Sequence, residues 1–216
     1  MILTEELQQR RENSAKSIPT EKYSVMQQST RSLLDQEISK SAAQTGDTLP
    51  SFSLPDEHGN QVEVKDLLEN NYLIISFYRG GWCPYCNMEL RALQQLSNEF
   101  KAQGANLVAI SPETPDNSLN TYEKNSLGFK ILSDINNAYA KELNLTFQMP
   151  EDLREVYHSF GLHVDQHNGN TDYELPMPAT YVVDSNMKII HHFVPEDYTQ
   201  RLDPEEILGF LKQRNN

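Results

Sequence analysis

Cys83 and Cys86 are the only two cysteines in this 216-residue chain, and they are spaced as Cys-x-x-Cys. One helical turn of separation lets two sulfurs close a disulfide without dragging the backbone. The pair is therefore suited to dithiol–disulfide exchange through a mixed-disulfide or sulfenic intermediate. The stretch that holds them, SFYRGGWCPYCNMEL, also contains the only tryptophan, Trp82. A buried strand is predicted to end just before it and an amphipathic helix to begin within it, with Pro84 suited to the first helical turn. Both sulfurs then lie by unpaired backbone N–H groups at the positive end of the helix dipole, where a thiolate is stabilised. Trp82 is expected to cover the sulfurs and to present a flat apolar surface to a partner.

The pair has two other readings. A zinc half-site would need further ligands, and His158 and His163 have finger-like spacing, but far more chain separates them from Cys86 than the about 12 residues of a zinc finger. Two buried cysteines acting as small hydrophobes is the blander reading. No metal site is assigned. A second element, LPMPATYVVD, places Pro178 directly before a strand, and the Met177–Pro178 bond is expected to be cis, shaping a loop that displays backbone groups beside the sulfurs.

The elements that must position this chemistry are legible as an alternation. Residues 1–45 form a polar arm with six basic and six acidic residues. Weak helical periods run over Leu3 to Glu12 and Glu21 to Lys40, with Pro19-Thr20 as the break and N-cap. From Gly46 onward, short apolar runs alternate with helical stretches, the pattern of an α/β sheet. SFSL and QVEV flank a turn as a small hairpin, and Tyr72 to Phe77 is a buried strand by its continuous apolar run. Leu90, Leu93, Leu96 and Phe100 fall at helical spacing before Gly104. Then follow a strand at Leu107 to Ser111, a helix near Pro115 to Lys124, a strand at Phe129 to Ser133 and a helix at Ile135 to Leu143. Leu145 to Leu175 reads as a polar lid or insertion with one helix near Pro150 to Phe160. ATYVVD and MKIIHHFV form a hairpin, and Pro204 to Gln213 closes the chain as a helix. The domain plan is thus an arm over 1–45 and one α/β domain over 46–216, with the arm packing on its own core or on a second subunit in a homodimer.

Bulk composition excludes several roles. With 31 acidic against 18 basic residues the net charge is -13, which repels a phosphate backbone, so no nucleic-acid partner is expected. No apolar run suits a secretory signal or a bilayer span, so a soluble cytoplasmic protein without a membrane partner is the expectation. Such a compartment keeps structural thiols reduced, which assigns the two cysteines to chemistry.

Three blocks carry a family resemblance: GDTLPSFSLPDEHGNQVEVKDLL, LIISFYRGGWCPYCNMEL and LPMPATYVVDSNMKII. Over about residues 46 to 212 they resemble the peroxiredoxin-like (alkyl hydroperoxide reductase/thiol-specific antioxidant) proteins of the thioredoxin superfamily. The resemblance implies a thioredoxin-like fold with a central mixed sheet flanked by helices, here with an N-terminal helical extension, and no cofactor. It puts Cys86 at the peroxide-attacking position, with Glu89 three residues on. The chain departs from the family where peroxide oxygens are usually bound: the customary proline falls at Arg79, the threonine at Cys83, and the arginine from the distant strand at Pro178. The replacements are thioredoxin-like, with Cys83 as an exposed first cysteine and Pro178 as its cis-proline. CPYC is also the glutaredoxin motif.

The leading expectation is a thiol-dependent hydroperoxide reductase in which Cys86 attacks the peroxide and Cys83 resolves the sulfenic acid. Arg79, Trp82 and Pro178 form the substrate-binding surround, and a thioredoxin- or glutaredoxin-type partner is the reductant. The alternative reverses the roles, with Cys83 attacking a protein or glutathione disulfide. A non-enzymatic redox-sensing binding module is the third. His191-His192 and the segment DYTQRLDPEEIL are assigned structural roles.

Overall fold

The computed structural model describes residues 2–69 and 71–215. In chain order the elements are α1 (Leu3–Ser17), α2 (Thr20–Gln36), α3 (Ile38–Ser41), β1 (Ser53–Pro55), β2 (Gln61–Glu63), α4 (Val64–Leu67), β3 (Tyr72–Phe77), α5 (Pro84–Gln95) and α6 (Ser97–Ala102). Next come β4 (Ala105–Ser111), α7 (Pro115–Lys124), β5 (Lys130–Ser133), a 3-10 turn at Ile135–Asn137, α8 (Ala138–Glu142), β6 (Thr146–Gln148), α9 (Glu151–Ser159) and α10 (Val164–Asn168). β7 (Glu174–Pro176), β8 (Ala179–Asp184), β9 (Ile189–Phe193) and α11 (Pro204–Asn215) complete the chain.

β3 is the middle strand of a five-stranded mixed sheet ordered β5-β4-β3-β8-β9. It runs parallel to β4, with Phe77 opposite Ile110, and antiparallel to β8, with Phe77 opposite Ala179. Because successive side chains point to opposite faces, β3 feeds two cores. Leu73, Ile75 and Phe77 join one apolar cluster, and Ile74 joins the other with Tyr78 just beyond the strand. A strand covered on both faces has no need of polar alternation, which explains why β3 is apolar at every position but the buried Ser76.

The arm is divided between these cores. Leu3 and Leu7 of α1 are buried in the cluster beneath α5, whereas Leu33 of α2 and Ile38 of α3 belong to the opposite cluster. α1 and α2 therefore straddle the sheet, and the chain covers its own core with its own arm. α1 continues to Ser17, past the predicted end at Glu12, and Glu37, in the left-handed conformation, divides the second predicted helix into α2 and α3. Pro19 itself is the N-cap of α2.

The 145–175 insertion holds more structure than its polarity suggested. β6 and β7 pair across it as a two-stranded ribbon, and a second helix, α10, precedes the left-handed Gly169. Leu145, Phe147, Met149 and Leu175 anchor it in the core at spacings that mix strand and helix periods. The Met177–Pro178 bond is not cis, correcting the sequence reading. β7 already ends at Pro176, and the Met177 N–H donates to the Leu145 carbonyl at 2.7 Å. The chain thus enters β8 already extended, and the ordinary preference of X–Pro bonds for trans is not opposed.

Leu7 is 5% exposed and packs its helix onto the α5 side of the sheet. Leu7→Ala is expected to destabilise the protein by about 2–4 kcal/mol, the range for a buried leucine whose cavity only partly collapses. Urea unfolding followed by circular dichroism measures this, and an unchanged midpoint would show that the arm is not part of the cooperative core.

Candidate active site

Both cysteines lie where β3 ends. The Tyr78 N–H still pairs with Ile110 O at 3.0 Å, and the chain then turns through Arg79-Gly80-Gly81-Trp82 to Cys83, the N-cap of α5. Pro84 occupies the first turn, where its missing N–H costs nothing. The two glycines are required by close approach. A Cβ on Gly81 would lie 1.9 Å from Thr121 Oγ1, and one on Gly80 would lie 2.3 Å from Trp82 Nε1. The Gly81 N–H donates to Glu113 Oε2 at 2.9 Å, and Asn87 Nδ2 donates to Gly81 O at 2.7 Å and Cys83 O at 2.9 Å. Turn and helix start are thus held from both sides.

Both cysteines are free thiols with no solvent exposure. The expected exposure of Cys83 is therefore corrected: Cys83 and Cys86 belong to the apolar cluster with Tyr78, Tyr85 and Leu90, and Trp82 packs against it. Burial disfavours a thiolate, and two guanidinium groups oppose it. Arg79 Nη2 donates to Cys83 Sγ at 3.3 Å, and Arg201 Nη2 donates to Cys86 Sγ at 3.1 Å.

The two sulfurs are pushed in opposite directions. Burial alone would raise the Cys83 pKa, but the hydrogen bond from Cys86 and the charges of Arg79 and Arg201 outweigh it and leave Cys83 well below the usual thiol range. Cys86 is raised by its burial and by the charge and hydrogen bond of Cys83, which the two arginines only partly offset. The two shifts favour negative charge on Cys83 over Cys86, with the hydrogen bond between the two sulfurs lowering the one and raising the other.

The structure separates the predicted residues. Arg79 hydrogen-bonds Cys83, and its charge acts on both sulfurs. Its guanidinium lies 4.0 Å from the Tyr198 ring centre and 5.1 Å from that of Trp82, and its Nη1 donates to Tyr157 Oη at 3.4 Å. Trp82 meets Tyr157 edge-on at 5.7 Å and is half-buried. Pro178 is buried at the start of β8, beside the strand end that carries the turn, and has no part in the polar contacts of either sulfur. Its predicted partnership with the sulfurs rested on the cis bond.

Arg201, in the segment first assigned a structural role, was missed. Besides Cys86, it donates through Nε to Glu89 and through Nη1 to the carbonyls of Tyr198 at 2.6 Å and Gln200 at 2.7 Å. Burial works against its charge, but Glu89 and the two sulfurs prevail and raise its pKa. The only signal in the sequence was one arginine among the acids of DYTQRLDPEE, a weak cue on a solvated-looking loop. Glu89 follows Cys86 by three residues on a helix, so its placement one turn along was readable.

The histidine pair from the zinc reading forms a separate group. His158, His163 and Asp165 bring ligand atoms within 4.8 Å of one another without either cysteine. His191 stacks on Phe210 and His192 meets Thr45, on opposite sides of β9 as its alternation requires.

A depressed Cys83 pKa has a pH signature. Between the folded and unfolded values the unfolded chain binds more protons, so the reduced protein should gain stability as pH rises and lose it as pH falls through the folded value. The 240 nm thiolate absorbance should persist below the ordinary thiol range and should move upward in Arg79→Gln. Coincident titrations of the two proteins would show that Arg79 does not hold the charge.

With this geometry in place, the relatives are informative. Peroxiredoxin Bcp of Escherichia coli (strain K12) is 27% identical over 168 residues, an alignment covering 78% of this chain and 95% of that protein. Among solved structures, Peroxidoxin BcpB from Mycobacterium tuberculosis superposes with a TM-score of 0.63 at 20% identity, covering 79% of this chain and 97% of that one. Peroxiredoxin Q of Xanthomonas campestris gives 0.59 at 16% identity, covering 76% and 92%. These two likenesses establish the thioredoxin-like peroxiredoxin fold. Residues 45–192, which hold the Cys pair and all five strands of the central sheet except the last residue of β9, match the AhpC/TSA family, and the chain belongs to that family.

Proposed function

We propose that the protein is a thiol-dependent hydroperoxide reductase working through a Cys83/Cys86 dithiol–disulfide cycle. The observation that carries this reading is that each sulfur has its own guanidinium, Arg79 on Cys83 and Arg201 on Cys86. Negative charge is therefore supported on either sulfur. Arg201 also supplies, from the β9–α11 segment, the cationic donor that the family resemblance found missing at Pro178.

In the proposed cycle Cys86 transfers its proton to the Cys83 thiolate and attacks the terminal peroxide oxygen. The S–O bond forms as the O–O bond breaks, the leaving alkoxide takes the proton back from Cys83 and departs as an alcohol, or as water from hydrogen peroxide, and Cys86 becomes a sulfenic acid beside a restored Cys83 thiolate. Cys83 then attacks the sulfenic sulfur as a thiolate, and the S–S bond replaces the S–O bond with loss of water. A thioredoxin- or glutaredoxin-type dithiol returns two electrons and two protons. Arg201 favours this order because its Nη2, beside Cys86, also suits the developing charge on the peroxide oxygens.

The alternative order, in which Cys83 strikes first, draws only on its lowered pKa, which equally suits the resolving thiolate of the proposed cycle. A reducing compartment such as the cytoplasm belongs to the same proposal, supported by the use of cysteine at these two positions alone.

Single-serine variants decide between the orders. With peroxide, Cys83→Ser is expected to retain a sulfenic acid on Cys86, trapped by a dimedone-type probe and located by mass spectrometry. Steady-state turnover should fall by on the order of 10²-fold or more, because the intramolecular resolving step with its high effective concentration is gone. Adducts on Cys83 in Cys86→Ser, and none on Cys86, would transfer the first attack to Cys83. Absence of peroxide consumption by the wild type with any dithiol reductant would remove the peroxidase proposal.

A further inference from the structure

A cleft of about 1020 Å³ opens where the arm crosses the active-site end of the sheet. Its floor includes Arg79, Trp82 and Tyr85, and its far wall comes from α1 and α2. That wall lies outside residues 45–192, the part of the chain matched by the family.

The charge of this wall is not what the whole chain would supply. The protein carries a net -13, and the arm's six basic and six acidic residues cancel. Yet Arg10, Arg11 and Arg31 line the cleft and none of the arm's acids does. Asp197 is the one carboxylate of the lining, and it is engaged by Arg11 at 3.5 Å. Arg10 and Arg31 have no carboxylate partner among the described residues. A concave surface lined by one sign of charge concentrates the opposite sign.

The floor adds an independent requirement. Arg79 is 3% exposed, and its Nε–H has no acceptor among the described residues. The Trp82 Nε1–H is likewise buried without an acceptor. Buried donors are ordinarily satisfied, so two such N–H groups beside Cys83 suit an oxygen-bearing group. Between floor and mouth the lining is mixed: Ile18, Met26, Phe160 and Leu162 supply an apolar strip beside Gln27 and Thr30.

We propose that the cleft binds an amphipathic organic anion, its carboxylate held at the mouth by Arg10 and Arg31, its apolar body along the walls and its oxygen-bearing end on the Arg79 and Trp82 floor. That floor lies at the Cys83 side of the thiol pair, one hydrogen bond from Cys86, the sulfur that attacks. Joined to the reading of the protein as a hydroperoxide reductase, on which this step rests, the occupant is an organic hydroperoxide carrying a carboxylate. The arm then selects the substrate. An acidic thiol of the glutathione class shares the carboxylate but offers no oxygen acceptor at its reactive end.

Binding and turnover are tested separately. Trp82 is the only tryptophan, so its fluorescence reports occupancy of the floor without any redox step. Decanoate below its micellar concentration should shift or quench that emission saturably. Methyl decanoate should bind roughly ten-fold more weakly, and the Arg10→Gln/Arg31→Gln double variant should lose the difference. Both positions are exposed, and Lys16→Gln, also exposed on α1 but outside the cleft, should leave the preference intact. Raising the salt to about 1 M should shrink it, because open-cleft charges are screened. In turnover, the ratio of kcat/KM for a carboxylate-bearing hydroperoxide to that for its methyl ester should fall by a similar factor in the double variant. Equal binding of decanoate and its ester, or a preference unchanged in the double variant, overturns the inference. A preference seen between glutathione and its diethyl ester, but not between the two hydroperoxides, overturns the assignment of the occupant as the hydroperoxide. Carboxylate-selective binding in a protein that consumes no peroxide would leave the cleft assignment standing and remove the peroxidase reading alone.

Discussion

A thiolate sealed in an apolar interior needs positive charge beside it, and much of this site's architecture follows from that need. Taking an ion out of water costs several kcal/mol even after relaxation, and here both sulfurs are out of reach of solvent. Arg79 and Arg201 meet the demand from two sides of the pair. Arg79 is the second residue past β3, so the strand's end places it directly. Arg201 comes from the segment between β9 and α11, more than a hundred residues away in sequence, and only the completed sheet brings it to Cys86.

Each guanidinium creates its own demand in turn. Arg201 is 7% exposed, and Glu89, the Tyr198 carbonyl and the Gln200 carbonyl take three of the four donors that Cys86 leaves. Arg79 is satisfied differently, by the faces of Tyr198 and Trp82 and by the Tyr157 hydroxyl, with its Nε–H left over. Tyr198 serves both arginines, the one through its ring and the other through its carbonyl. A side-chain change at this residue would remove the ring from Arg79 and leave the carbonyl to Arg201. The tight turn before Cys83 is held by Glu113, which also meets His167 at 3.1 Å and so ties the turn to the insertion that bears Tyr157.

The arm gives this site a surrounding that the family frame by itself lacks. α1 and α2 lie on opposite faces of the sheet, and their junction passes over the active-site end, so the arm roofs the approach to the sulfurs while completing both cores. A neutral segment in an acidic protein is unremarkable as composition. Folded, it turns three arginines toward one cleft and its acids elsewhere, because a helix converts sequence spacing into facing.

The sequence by itself determined the chemistry and its frame. Cys-x-x-Cys with Pro84 at a strand-to-helix junction specifies a thiol pair at a helix N-terminus, and the continuous apolar run at Tyr72–Phe77 specifies a strand buried on both faces. These are local statements, and each depends on residues within one or two turns of one another. Tertiary structure alone decided the rest. Whether Cys83 is exposed depends on what the arm and the insertion pack over it, which no local pattern records. Arg201 looked like a solvated loop residue because the carboxylate, carbonyls and sulfur that bind it are assembled by the fold. Pro178 carried the opposite error: a proline before a strand is compatible with either isomer, and the β7 pairing upstream settled its geometry. Cys83 and Cys86 have the same side chain, and the fold drives their pKa values apart: burial raises both, the hydrogen bond between them lowers the one and raises the other, and the charges of Arg79 and Arg201 act on both.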